Sequence, residues 1–546
     1  MIKTEDWIEY FPHETPREVQ EDGINRILNS FLSSDKKFFI AEMGTGCGKS
    51  AIGVTVARYL NYVINEEVGG FAKGAYFVTT QKILQDQYVK DFGGYGPMRS
   101  IKSASNYQCA FHKKNNCSES QAMLRTAERD TPFYKTCSGH CNYRKAKDEF
   151  LKSSESVVNF PYFLTEATYS GKITPRNFLV LDESHNAEEE LSRFIEITVS
   201  ERFVKSTLKN KWLGKKDQLQ TFLWIRDNYF PKVKKRLSHV EDMLKKFEGL
   251  KGKLDEFAGF AKQYDMLKSH VDRLTTFIRH YDKENWVCEY AEGFGRSLAK
   301  IVFKPVDISD FAKDYLLRLG HRTLLMSATI VNHKSFCRSL GIPLDQAEFI
   351  STPSPFPKEG RPIVELLVGK MNAKEIDNTL PMIAQTVEEI LKMHPNEKGI
   401  IHCHTFKIAK YLWANAAVGQ NRLLLHDTDT RDEVLQQHMQ SETPTVLLSP
   451  SMQEGVDLRG DYSRFQVICK VPFPYLGDEV VKKRMSKWPE WYGTQTAKTV
   501  IQAVGRSVRS KDDHAVTYIL DEGWRYFYNR HKEYFPQDFR ECLQRY

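Results

Sequence analysis

Apolar and polar positions along the chain fall into two blocks with strand-and-helix alternation, interrupted by two stretches of different character. Residues 36–41 (Lys-Lys-Phe-Phe-Ile-Ala) have the length and composition of a buried strand, and Ala51–Asn61 follows as a helix. Ala75–Thr79, Phe178–Leu181 and Thr323–Met326 read as further strands, with a helix over Ile83–Asp91. Gly399–Cys403, Val446–Ser449, Phe465–Val471 and Ala515–Leu520 repeat the strand pattern in the last third of the chain. Strands that alternate with helices predict parallel sheets, which take ligands at the carboxyl ends of their strands. The fold class expected is therefore α/β, with two parallel-sheet domains. Pro353, Pro355, Pro357 and Pro362 mark a linker between the blocks.

The first interruption, residues 100–150, is polar and cysteine-rich with weak periodicity. The second, residues 200–285, steps by three and four. Phe222, Ile225, Tyr229, Val233, Leu237, Val240, Leu244 and Phe247 form one stripe; Tyr264, Leu267, Val271, Leu274, Ile278 and Tyr281 form another. Pro231 is expected to break the first of these helices.

Charge changes this picture in one place. The formal net charge is +8, and between Lys205 and Lys253 fourteen basic residues face five acidic ones. A concentrated basic segment suits a polyanionic partner, although a solvated helix face has the same composition. No apolar run is long enough to span a bilayer, and the acidic, polar start is wrong for a secretory signal. An intracellular, cytoplasmic protein without a membrane partner is expected. In that setting four closely spaced cysteines, Cys109, Cys117, Cys137 and Cys141, indicate a soft-metal site rather than disulfides. Their spacing matches neither close zinc pairs nor the ferredoxin patterns, and His112 and His140 keep zinc open.

Three motifs carry the chemistry. Gly44-Thr45-Gly46-Cys47-Gly48-Lys49-Ser50 lies between the first strand and helix. Glycines turn backbone N–H groups toward phosphate oxygens, and the helix N-terminus adds positive potential. Lys49 is expected at the β- and γ-phosphates of ATP and Ser50 on Mg²⁺, with Thr45, Gly46, Cys47 and Gly48 in the cradle. The strict pattern wants glycine at 43, where this chain has Met43. Asp182-Glu183-Ser184-His185 ends the third strand: Asp182 would hold Mg²⁺ and Glu183 would orient and deprotonate the attacking water. In the second block, Gln502-Ala503-Val504-Gly505-Arg506-Ser507-Val508-Arg509 puts Arg506 and Arg509 on one helix face, where guanidinium groups would neutralise charge on a γ-phosphate.

With these motifs in this order, the chain resembles the XPD/DinG branch of superfamily-two helicases over nearly its whole length. Thr79-Thr80-Gln81 through Gln87 resembles motif Ia, Ser327-Ala328-Thr329 motif III, His402 to Phe406 motif IV, Glu454-Gly455-Val456-Asp457 motif V and the Gln502–Arg509 stretch motif VI. Arg17 and Gln20 resemble the upstream Q-motif, with Gln20 reading adenine; the resemblance as a whole also implies Asp457 among the nucleotide contacts and Gln502 in the catalytic set. The resemblance implies two RecA-like domains: residues 1–100, 151–200 and 286–335 form the first, and 336–546 the second. Residues 101–150 would form a 4Fe–4S domain on Cys109, Cys117, Cys137 and Cys141, and 201–285 a helical Arch-like domain. It implies an ATP- and Mg²⁺-dependent DNA helicase, acting as a monomer on single-stranded and forked duplex DNA with 5′-to-3′ movement. RNA or hybrid substrates, a translocase that strips proteins without unwinding, and a redox-sensing nucleic-acid-binding ATPase remain open alternatives.

Overall fold

The structure is a computed structural model that describes residues 2–65, 67–113, 116–124, 127–139, 141–247, 254–293, 298–417, 421–450, 458–508 and 510–545. Two seven-stranded sheets organise it. The first runs, in spatial order, Ala347–Thr352, Phe38–Met43, Gly320–Ser327, Arg176–Asp182, Ala72–Thr79, Glu155–Asn159 and Arg99–Ser100. The second runs Leu423–Leu425, Val446–Ser449, Gly399–His402, Phe465–Ile468, Val516–Asp521, Ile363–Gly369 and Leu543–Arg545. The pairings between named strands in both sheets are parallel. These are two RecA-like parallel-sheet domains.

The apolar runs fall inside these strands, because a parallel sheet covered by helices on both faces buries every position. In Arg176–Asp182 all seven residues are buried. The strand Ala347–Thr352 pairs with Phe38–Met43, so the first sheet extends beyond residue 335 and the crossing to the second falls in the proline-rich 353–362 segment. Prolines lack the N–H that a ladder needs, which explains why the strand stops at Thr352.

The helix Lys49–Tyr59 is anchored from below by a buried bidentate ion pair. Arg58 Nε and Nη2 donate to the two carboxylate oxygens of Glu155, each at 2.9 Å, and Nη2 also donates to the Phe92 carbonyl.

The helical insertion contains Gln218–Trp224, Phe230–Phe247 and Leu254–His280, and stands on an antiparallel sheet of Ile197–Ser200, Lys300–Pro305 and Trp286–Ala291. Pro231 does not break the chain's helical course. It occupies the second position of Phe230–Phe247, directly after a wide turn at Ile225–Tyr229, where the missing N–H costs nothing. Among the described residues no helix is long and apolar enough to cross a membrane.

Candidate nucleotide site and cysteine cavity

The loop between Met43 and Lys49 adopts the geometry its glycines allow. Gly46 and Gly48 both have φ +78°, a left-handed conformation that disfavours other residues. Gly48 is also crowded, since a Cβ there would stand 2.7 Å from Arg17 Nη2 and against the Gln20 amide. Gly44 has the same need on the other side, where a Cβ would meet the Ser354 Cα at 2.8 Å. Position 43 makes no such demand. Met43 is the buried last residue of its strand, in register with Thr352, so a side chain is accommodated where the strict pattern has glycine.

Three residues of the predicted site converge at the carboxyl end of the first sheet. Ser50 Oγ donates to Asp182 Oδ2 at 2.8 Å, and the Glu183 N–H donates to Asp182 Oδ1 at 3.0 Å. The neighbouring hydroxyl and carboxylate are the oxygen donors a small hard cation such as Mg²⁺ selects. Burial, followed by the adjacent Glu183 charge, raises the Asp182 pKa. Glu183, at φ +51°, sits in strained left-handed backbone, the kind of outlier found at working sites. Its carboxylate lies 3.5 Å from Lys49 Nζ and 3.3 Å from His185 Nδ1. Burial alone would raise its pKa, but Lys49 and His185 outweigh that and hold it well below the usual carboxylate range.

The second sheet reaches this site through its Pro489–Val504 helix. Gln502 Nε2 lies 2.8 Å from His185 Nε2 and 3.3 Å from Thr329 Oγ1. With the amide donating, the imidazole proton sits on Nδ1, 2.8 Å from Ser327 Oγ. One residue after the helix, a Cβ on Gly505 would stand 3.3 Å from Thr45 Oγ1. Gly44, Thr45, Glu183, His185, Gln502, Gly505 and Arg506 thus line one cleft of about 670 Å³. The phosphate loop and Arg506, which are remote in sequence, meet there. Gln20 is buried against Gly48, with its Oε1 accepting the Arg17 N–H at 2.9 Å, while Arg17 Nη1 donates to the Gly46 carbonyl at 2.8 Å. Cys47 is fully buried, and burial pushes its thiol up. Asp457 and Arg509 lie outside the described residues.

The comparisons with known proteins agree with this arrangement. Residues 13–214 match the family model "Type III restriction enzyme, res subunit", and residues 388–542 match "Helicase C-terminal domain". The chain is 25% identical over 233 residues to the ATP-dependent DNA helicase YoaA of Escherichia coli, covering 40% of this chain and 36% of that protein. It is 26% identical over 256 residues to the ATP-dependent DNA helicase DinG of Photobacterium profundum, covering 43% and 36%. The matched region thus spans little more than a third of these relatives' own length. Among solved structures, an XPD helicase superposes at TM-score 0.64 with 15% identity, covering 98% of this chain and 100% of that one. The S. tokodaii Xpd4 structure superposes at 0.57 with 14% identity, covering 97% and 100%. Together these likenesses support an XPD/DinG-like superfamily-two helicase.

The cleft has walls that sequence reasoning did not assign. The linker residues Ser354 and Phe356 line it, with Phe356 buried against Val508 and Ala515 of the second sheet. The 533–539 segment lines the same cleft, and Asp538 pairs with Arg361 at 3.0 Å. Tyr88 also escaped notice. Its buried hydroxyl donates to Asp182 Oδ2 at 2.7 Å, and burial, then the Asp182 charge, raises its pKa well above the usual tyrosine value. Only the strand order, which sets Ala72–Thr79 beside Arg176–Asp182, brings the Lys82–Phe92 helix to that carboxylate.

The four clustered cysteines line one cavity of about 370 Å³, together with Tyr134, Arg144 and Asp265. Cys117 Sγ and Cys141 Sγ are 3.7 Å apart, and the His112 N–H donates to Cys109 Sγ at 3.2 Å. Burial, then the neighbouring thiols, push Cys117 up to about 12 and Cys137 up to about 11. Ser120 Oγ, also lining the cavity, is buried without a hydrogen-bond partner. Among the described residues no three His, Cys, Asp or Glu side chains converge as a metal-ion site. The His112 ring packs on Phe111 and Phe133, and His140 lies outside the described residues. Tyr143 is buried and shares a 3.0 Å hydrogen bond with Tyr162, whereas Phe111 is exposed.

Proposed function

We propose that this protein is an ATP- and Mg²⁺-dependent DNA helicase that moves on single-stranded DNA in the 5′-to-3′ direction. The observation that carries the reading is the meeting of the Thr45 loop with Gly505 and Arg506 in one cleft, since a nucleotide gripped by both sheets links hydrolysis to their relative motion. The polarity rests on the family resemblance.

The contacts supply the parts for hydrolysis. Lys49 pairs with Glu183 at 3.5 Å. Lys49 would reach the phosphates of ATP, and Ser50 and Asp182 would hold Mg²⁺, which would offset charge on the phosphate oxygens. Glu183, placed between Lys49 and His185, would orient the attacking water. Arg506 approaches the γ-phosphate, and the Gln502–His185 contact registers closure in the second domain.

Cys109, Cys117, Cys137 and Cys141 would hold a 4Fe–4S cluster, a reading supported by four thiols around a cavity and by the orphaned Ser120 hydroxyl. Such a cluster would supply strong thiolate bonds that hold a small, loop-rich lobe together.

The test is ATPase activity with and without single-stranded DNA, together with unwinding of duplexes carrying a 5′ or a 3′ tail. DNA-stimulated hydrolysis with unwinding from the 5′ tail supports the proposal. Hydrolysis without strand separation reduces it to a translocase, and absence of hydrolysis refutes it.

A further inference from the structure

Asp182 accepts two hydroxyl hydrogen bonds on the same oxygen, one from Ser50 at 2.8 Å and one from Tyr88 at 2.7 Å. The two donors have different surroundings. Ser50 stands at the start of the Lys49–Tyr59 helix, where its oxygen lone pairs can serve a metal ion while its proton stays on the carboxylate. Tyr88 belongs to the Lys82–Phe92 helix and has no such alternative: its ring is 2% exposed and fixed by Phe77 and Phe92, with centroids 5.8 and 5.3 Å away. The phenol is therefore a support for that oxygen that takes no part in metal ligation and is fixed by packing.

The helix that carries Tyr88 is itself gripped at the opposite end. Gln85 is buried and donates to the Ile101 carbonyl at 2.9 Å, Lys82 Nζ donates to Asn106 Oδ1 at 3.1 Å, and Asp86 pairs with Lys102 at 2.6 Å. Thr80, Gln81, Ile83, Leu84 and Gln87 face the interdomain cleft. One rigid element thus touches the root of the cysteine segment, the cleft and the metal-side carboxylate.

We propose that Tyr88 is a positioning residue for Asp182: it holds the carboxylate in its Mg²⁺-accepting orientation and ties it to the Lys82–Phe92 helix. The proposal rests on the nucleotide-site reading above. It predicts that the hydroxyl matters to metal use and not to nucleotide binding as such, because Tyr88 does not line the cleft.

The experiment titrates Mg²⁺ into full-length wild type and Tyr88→Phe, each holding a fluorescent ATP analogue, and reads binding rather than turnover. The phenylalanine keeps the ring packing, and circular dichroism and thermal melting verify the fold. The expected result is a Mg²⁺ half-saturation raised about fivefold, with metal-free analogue affinity equal to wild type. An unchanged Mg²⁺ half-saturation overturns the proposal. So does a parallel loss of metal-free affinity, which would make Tyr88 a packing residue. Because the readout is binding, a wild-type protein that fails to hydrolyse ATP would refute the helicase reading while leaving this comparison interpretable.

Discussion

Gln502 and His185 are separated by 317 positions in sequence, yet their Nε2 atoms lie 2.8 Å apart. The contact joins the last turn of a second-sheet helix to the residue two places after Glu183. His185 also reaches Ser327 Oγ and the Glu183 carboxylate, so one imidazole touches both domains and the candidate base. Gln502→Ala removes the cross-domain arm and leaves the phosphate loop intact. It should lower DNA-stimulated kcat about tenfold with little change in KM for ATP, the loss expected for about one hydrogen bond to an imidazole. Steady-state ATPase assays with and without single-stranded DNA check this; an unchanged kcat removes the contact from the coupling route.

The buried Arg58–Glu155 pair should be costly to break from one side. Arg58→Met leaves a carboxylate in the core and is expected to destabilise the protein by about 3–5 kcal/mol. Arg58→Met with Glu155→Leu should recover most of that, because two apolar groups leave no unpaired charge. Denaturant unfolding of the three proteins measures the difference.

Stability should fall on mild acidification. Burial holds His270 and His438 at about 4, below an ordinary histidine. Each folded-state value is depressed, so the unfolded chain binds more protons between about pH 6.5 and 4. The contribution of these neutral rings is complete above the unfolded pKa and is lost as pH falls through that window. Melting temperatures should drop progressively from pH 7 to pH 5, and less steeply in His270→Gln or His438→Gln.

Cys137→Ser replaces one of the four thiols around the insertion cavity. Anaerobically purified wild type should show charge-transfer absorption in the visible and four irons per chain, and the variant should lose both, along with unwinding. Survival of ATP hydrolysis in the variant would separate the cavity from the nucleotide cleft. Zinc in place of iron would leave the wild-type protein colourless and correct the cofactor.

Much of this was legible in the sequence for definite reasons. Buried parallel strands read as continuous apolar runs, so Phe38–Met43 and Arg176–Asp182 could be found within two residues. The glycines of the phosphate loop announced themselves through their type and spacing. Short or polar strands did not: Arg99–Ser100 and Leu423–Leu425 offer too few residues for any period, and Glu155–Asn159 carries Glu155 and Asn159 in a fully buried strand. Tyr88 and Asp538 have no local signal, since their roles come from strand order and from the chain's return past the linker. Pro231 misled because a wide turn before it resets the helix, and periodicity cannot register that shift.

The central claim is that one ATP is held between the phosphate loop and Arg506. The most direct measurement is the kinetics of Arg506→Ala. The account predicts MgATP binding close to wild type and a kcat reduced by about 10³-fold or more, as for loss of a guanidinium that meets the transition state. Hydrolysis at the wild-type rate would mean that the second sheet contributes nothing to the chemistry, and the motor mechanism would have to be abandoned.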